Sequence, residues 1–217
     1  MTAEMTGRFV VFEGGEGVGK STQSRLLAEA LRGRGLEVVT TREPGGTPGA
    51  EAIRALLLDR NGPAKDGLGW GARAEALLFA AARADHVETL IRPAMARGAW
   101  VVCDRYLDSS RAYHGGGSGL EDVDILTLHR IGSAGLLPDC TVLLTLDPAE
   151  AAERALKRDA GALDRIGGRT ADYHARVAAA FRRYAEAEPE RFAVVAADGA
   201  PNEVHARVLA AVDSLCA

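Results

Sequence analysis

The chain holds only three cysteines, Cys103, Cys140 and Cys216, at spacings that fit no metal-ligand pattern. Cys103 and Cys140 lie in apolar, strand-like runs, so buried free thiols in a reducing compartment are expected. No apolar run approaches the length of a bilayer span, which leaves no membrane partner to expect. Met1 to Thr6 is too short and too polar for a secretory leader; it reads as a flexible tail on a cytoplasmic protein. Positive charge is not in excess either. A net charge of −4 argues against a protein that wraps nucleic acid, whose domain is usually basic. Any bound anion must therefore be met by a local cluster of Arg and Lys. Internal repeats are absent, and residues 1–217 read most simply as one domain large enough to bury a substantial core.

Against these absences stands one dense motif. Gly14-Gly15-Glu16-Gly17-Val18-Gly19-Lys20-Ser21, followed by Thr22, matches the phosphate-binding pattern G-x-x-x-x-G-K-[ST] in full. The four residues before it, Phe9 to Phe12, are apolar and β-prone, and a helical pattern follows it. Glycines let successive backbone N–H groups curl around phosphate oxygens, Lys20 reaches the β/γ-phosphates, and the Ser21 hydroxyl can ligate Mg²⁺. A chance Gly-rich turn would not come with that strand and helix on either side. The motif implies a bound nucleoside triphosphate.

Strand-length apolar runs recur at Phe9–Phe12, Leu36–Thr40, Trp100–Cys103, Thr141–Leu146 and Phe192–Val195. Between them lie Ala-, Leu- and Arg-rich stretches of helical spacing, with Leu26/Ala30 and Leu27/Leu31 paired after the loop and Val204, Val208, Val212 and Leu215 on one late stripe. Val- and Leu-rich strands alternating with helices indicate an α/β fold, a five-stranded parallel sheet covered on both faces. Ligands in such folds gather beyond the carboxyl ends of the strands. Gly-rich breaks are expected at Pro44–Gly46, Gly115–Gly117 and Gly167–Gly168, and a surface loop over Arg60–Gly71.

A phosphate loop alone does not separate switches from kinases. A guanine-reading Asn-Lys-x-Asp element is missing, and four clusters suggest an acceptor site. Thr41-Arg42-Glu43-Pro44-Gly45-Gly46-Thr47 follows the second strand, with Glu43 placed to orient an arginine or a sugar. Phe79 and Arg83 are i,i+4 neighbours that could stack and bond a base, although spacing alone favours an ordinary core Phe beside a surface Arg. Val101-Val102-Cys103-Asp104-Arg105-Tyr106 ends a buried strand in Asp, the arrangement that supports Mg²⁺, with Arg105 beside the transferring group. Ser109, Ser110 and Tyr113 follow it. Arg154, Lys157, Arg158 and Arg165 form a basic run, by itself a solvated helix face; after the fourth strand of a phosphate-loop protein it reads better as an arginine-bearing lid, about 154–168.

These segments together resemble the thymidylate kinase (dTMP kinase) family, and the match runs over nearly the whole chain: residues 12–22, 41–47, 77–83, Asp104-Arg105-Tyr106, Ala112-Tyr113-x-Gly-Gly-Gly and Leu163-Asp164-Arg165-Ile166. The resemblance implies a P-loop nucleoside monophosphate kinase fold and transfer of the ATP γ-phosphoryl to dTMP, giving dTDP, with Mg²⁺ held through Ser21 and Asp104. With no basic residue inside the phosphate loop and several in the lid, the chain is similar to the bacterial-type subgroup, whose catalytic arginine is in the lid; Arg158 is the first choice and Arg165 the second. Carried over by position, Glu16 lies near the sugar 3′-hydroxyl, and Arg54, Arg83 and Arg105 surround the dTMP phosphate and base. Phe79 stacks on thymine, and Ser110 and Tyr113 line base and sugar. Ser110 and Arg111 stand where the family often has Gln or Asn, and His114 replaces a frequent Gln without an assigned role. A homodimer is implied as well, for which the Ala-rich helices between Ala72 and Ala96 are candidates.

Overall fold

The computed structural model describes residues 7–58, 70–158 and 167–215. Five strands, β1 (Phe9–Glu13), β2 (Val38–Arg42), β3 (Trp100–Asp104), β4 (Cys140–Thr145) and β5 (Phe192–Ala196), form one wholly parallel sheet in the order β2-β3-β1-β4-β5. The central strand β1 is buried throughout, whereas the edge strands β2 and β5 alternate between buried and exposed positions. Central strands covered on both faces need continuous apolar runs, and edge strands do not. All five expected strands are present. The second begins two residues later than its apolar run, at Val38. The Leu36 N–H is taken by the Leu31 carbonyl at 3.2 Å, as the preceding helix ends through Gly35 at φ 83°.

The helices are α1 (Lys20–Gly33), α2 (Pro48–Leu58), α3 (Ala72–His86), α4 (Arg92–Ala96), α5 (Leu107–Ser110), α6 (Asp122–Ser133), α7 (Pro148–Arg158), α8 (Ala171–Ala187) and α9 (Pro201–Leu215). A wider π-type turn, Val87–Ile91, joins α3 to α4, and another, Arg111–Gly117, extends α5. Residues on alternate positions of β1 feed opposite layers, as period-2 geometry requires. Val10 and Phe12 pack with Leu27 and Leu31 of α1 and with Val204, Val208 and Val212 of α9. Phe9 and Val11 pack with Val87, Ile91, Leu107 and Ile125 on the other side. Of the two pairs expected on α1, Leu27 and Leu31 are buried and Leu26 and Ala30 only half so.

Gly115–Gly117 does not break the chain as its composition suggested. These residues continue the helical segment from α5, and a Cβ on Gly116 would strike that of Ala180, while one on Gly117 would lie 2.5 Å from the Tyr173 ring. Their job is close approach to α8, where Tyr113 packs with Tyr173, Val177 and Phe181. Among the described residues no helix is long and apolar enough to cross a membrane. The expected tail (1–6), most of the expected loop at 60–71, and Arg165 lie outside the described residues, as do the side chains of Arg158 and Leu215.

Candidate active site

The carboxyl ends of β1, β2 and β3 open onto a cavity of about 790 Å³. Glu16, Gly17, Val18, Gly19, Lys20, Ser21 and Thr22 line one side of it, and Glu43, Arg54, Phe79, Asp104, Arg105, Ser110 and Tyr113 also line it. Residues from four separate stretches of sequence thus share one chamber. Gly14 and Gly15 belong to the loop without forming the wall, and Arg83 stands behind it.

The loop leaves β1 through Gly14, Gly17 and Gly19, all at positive φ (132°, 74° and 95°). Gly17 has a second reason to be glycine: a Cβ there would collide with the carbonyl oxygen of Ala151 on α7. Helix α1 then starts at Lys20 with neither a side-chain cap nor an acidic residue in its first turn. Its leading N–H groups and the positive end of its dipole are therefore available to an anion. The Lys20 ammonium donates to the carbonyls of Gly14 (3.1 Å) and Gly15 (2.5 Å). Burial, with the Arg105 charge nearby, pulls its pKa down to about 8.

Ser21 Oγ donates to Asp104 Oδ2 at 2.5 Å, joining the start of α1 to the end of β3. Both are oxygen donors open to the cavity. Among the described residues no group of three or more His, Cys, Asp or Glu could hold a metal. Two oxygens suit a cation that takes its remaining ligands from water and phosphate.

Arg105 follows directly at φ 70°, in the left-handed region, which costs a non-glycine residue about 1–3 kcal/mol and persists only where the surroundings impose it. They do so here. Its N–H donates to the Phe12 carbonyl (2.9 Å), and its Nη1 to the Gly14 carbonyl and Ser109 Oγ, both at 3.0 Å. Its Nη2 reaches Glu16 Oε1 at 2.5 Å and Tyr113 OH at 3.2 Å, and the Tyr113 hydroxyl itself lies 3.2 Å from Glu16 Oε1. Glu16, Arg105 and Tyr113 form one hydrogen-bonded group on the wall.

The expected Phe79–Arg83 face divides in two. Phe79 is half-exposed on the wall, its ring 4.9 Å from that of His114. Arg83 is 3% exposed, neither a surface residue nor a wall residue. Its Nε donates to Glu43 Oε2 (2.8 Å) and its Nη2 to Ser110 Oγ (2.7 Å) and the Tyr106 carbonyl (3.2 Å). Glu43 thus orients an arginine, and that arginine fixes Ser110. The other Glu43 oxygen lies 3.1 Å from His86 Nδ1, and His86 Nε2 lies 2.7 Å from Thr41 Oγ1. Arg54 donates to the Pro44 carbonyl at 2.6 Å.

On the basic run, Arg154 reaches the cavity and pairs with Glu150 at 2.5 Å, while Lys157 makes an exposed pair with Glu153 at 2.6 Å, the solvated-face arrangement. Sequence reasoning missed Glu13, the last residue of β1. It is fully buried and its pKa is pushed up to about 7, by burial first and by Asp108 second. An acid closing a run of four apolar residues was the available signal. Glu75 was missed too. It is buried on α3, receives both Nη2 bonds of Arg169 (2.8 and 2.7 Å) and lies 3.4 Å from His114 Nδ1. Arg111 turns away from the cavity to bond Asp108, Asp122 and Glu188.

The sequence model of the thymidylate kinase family matches residues 12–208. A thymidylate kinase of Rhizorhabdus wittichii is 58% identical over 211 residues, 97% of this chain and 99% of the relative. One from Clavibacter sepedonicus is 54% identical over 92% of this chain and 91% of its own. The crystal structure of thymidylate kinase from Ehrlichia chaffeensis superposes with a TM-score of 0.75 at 30% identity, covering 94% of this chain and 97% of that one.

The depressed pKa of Lys20 has a measurable consequence. Phosphate charge favours the ammonium form and so raises that pKa. At a pH just above 8, triphosphate binding should take up a fraction of a proton, read as a binding heat that varies with buffer ionisation enthalpy. Lys20→Met should abolish the variation; proton release by the wild type would contradict the assignment.

Proposed function

The chain belongs to the thymidylate kinase family, and we propose on that footing that it transfers the γ-phosphoryl group of ATP to dTMP, giving dTDP and ADP. The observation that carries the proposal is a single cavity shared by the loop that binds the donor and by Glu16, Arg105, Phe79 and Tyr113 on the acceptor side. Phosphoryl transfer asks little covalent chemistry of a protein. It asks that two phosphates be held in line and the charge on the moving group be neutralised. Lys20 and the loop N–H groups hold the β/γ-phosphates of ATP. Arg105 and Arg54 hold the acceptor phosphate, whose own oxygen is the nucleophile and is largely ionised near neutral pH, so no general base is needed.

Phe79 offers its half-exposed ring for stacking on thymine. Arg83 acts from behind the wall, where its bond to Ser110 Oγ leaves that hydroxyl able to donate to an acceptor in the cavity. Glu16, already bonded to Arg105 and Tyr113, faces the sugar 3′-hydroxyl. Ser21 and Asp104 would hold Mg²⁺, which when bound neutralises charge on the β/γ-phosphates. A lid arginine, Arg158 or else Arg165, closes over the transferring group; comparable arginines in GTPases are worth ~10³–10⁵ in rate. The same closure excludes water and suppresses idle ATP hydrolysis.

Residues 1–217 would act as one catalytic domain in the cytoplasm, where Cys103 and Cys140 stay as buried free thiols. We assign a homodimer to the face made by α3 and α6. Leu77 on α3 and Val123 and Ile131 on α6 are 55%, 66% and 72% exposed, apolar side chains that a second copy would cover.

Incubating the chain with ATP, Mg²⁺ and a panel of nucleoside monophosphates tests the activity. ADP release should depend on dTMP and yield dTDP, with UMP far poorer; equal turnover of dTMP and UMP would contradict the reading. Lys20→Ala should abolish turnover at an unchanged Tm. Sedimentation should give a dimer that Ile131→Asp converts to monomer, and a monomeric wild type would remove the dimer assignment.

A further inference from the structure

Glu13 is a buried acid for which the mechanism above has no use, and every hydrogen bond its carboxylate receives comes from the segment carrying Arg105. Oε1 accepts from the N–H groups of Tyr106 (2.9 Å) and Ser109 (3.0 Å), and Oε2 accepts from the Ser109 hydroxyl (2.6 Å). The Tyr106 N–H is the first amide after the left-handed Arg105. The Ser109 oxygen also lies 3.0 Å from Arg105 Nη1. A guanidinium can only donate, so Ser109 Oγ must accept from Arg105. Its one proton is then committed to Glu13.

We propose that Glu13 is the positioning residue for Arg105: through the Tyr106 N–H it holds the Arg105 backbone, and through the Ser109 hydroxyl it fixes the guanidinium in the pose that meets the acceptor phosphate. The proposal rests on the reading of Arg105 given above and extends it one shell inward. Its chemistry requires the carboxylate form, because all three partners are donors. A protonated Glu13 would bring a donor of its own, and only Ser109 Oγ could accept it, which would turn the hydroxyl proton away from its present direction. The charged and titratable groups around it are Asp108 on α5, Arg105, Lys20 at the start of α1, Arg83 on α3 and Cys103 on β3. Burial and Asp108 favour the protonated form; Arg105 and the bonds from Ser109 and Tyr106 oppose them.

Steady-state kinetics of Glu13→Gln, Ser109→Ala and the double variant test this. The glutamine carbonyl can keep both backbone bonds, while its NH₂ donates to Ser109 Oγ and displaces the hydroxyl proton. Glu13→Gln should lower kcat/KM for dTMP by roughly 10- to 100-fold, the worth of a hydrogen bond to a charged group, with KM for ATP nearly unchanged. Ser109→Ala should lose a similar factor. The double variant should lose no more than the worse single, because both act through one link. The ratio of wild-type to Glu13→Gln kcat/KM should rise with pH through about 7; titration of the dTMP phosphate cancels in that ratio.

Wild-type kcat/KM in either single variant, losses that multiply in the double, or a pH-independent ratio would overturn the proposal. So would a Glu13→Gln loss shared equally by ATP and accompanied by a fall in Tm. Should Glu13→Gln not fold, Ser109→Ala decides alone, since its small, half-buried side chain can be shortened without harm to the core. A wild-type chain that makes no dTDP would instead overturn the functional reading itself, an outcome separate from an active enzyme indifferent to Glu13.

Discussion

The site depends on the parallel pairing of β1 with β3. That register sets Phe12 opposite Asp104, so the phosphate loop and the Asp104-Arg105 pair leave the sheet side by side. Because side chains alternate across a strand, a slip of one residue would send Asp104 to the opposite face and separate it from Ser21. The pairing also continues past the strands. The Arg105 N–H bonds the Phe12 carbonyl and the Tyr106 N–H bonds the Glu13 carboxylate, which together hold Arg105 in a backbone conformation it would otherwise avoid. Without that turn the Arg105 side chain would not reach Glu16 and Tyr113.

Around this junction the protein buries more charge than its near-neutral composition suggests. Glu13, Glu43, Glu75, Arg83, Asp108, Arg111 and Arg191 are each less than a tenth exposed. Burying an ion is costly unless it is paired and hydrogen-bonded. All of these but Glu13 are ion-paired, and Glu13 is met by the N–H groups of Tyr106 and Ser109 and the Ser109 hydroxyl. Asp108 receives both Nη bonds of Arg191 (2.7 and 2.8 Å), and Arg191 also donates to Glu188 and Thr141. Such networks contribute little net stability, but they fix side chains in one geometry, which is what a site acting by position and charge needs. Arg83 illustrates the arrangement: it is held by Glu43, which lies against His86, and it in turn orients the Ser110 hydroxyl.

The course of the loop and the run of strands were legible in the sequence because both are local. Gly14, Gly17 and Gly19 allow the positive-φ turn that leads from β1 into α1 at Lys20, and five Val- and Leu-rich runs announce a parallel sheet. What could not be read depends on neighbours distant in sequence. Arg83 looked like a surface residue or a base contact, and its burial follows from Glu43, forty residues earlier. Gly115–Gly117 looked like a break, whereas the ring of Tyr173 and the methyl of Ala180 show these glycines permitting close packing on α8. Arg111 follows Ser110 directly, yet three acids on two other elements and a helix end draw it away from the cavity. In each case the residue was visible and its neighbour in the fold was not.

The central claim is that Arg105, held at the β1–β3 junction, meets the phosphate of the acceptor nucleotide. Calorimetric titration of dTMP and of thymidine into wild type and Arg105→Met tests it most directly, since the two ligands differ only in that phosphate. Expected is a loss of dTMP affinity of about 30-fold or more with thymidine affinity unchanged, as when one partner of a buried charge pair is removed. Unchanged dTMP affinity, or an equal loss for both ligands, would contradict it.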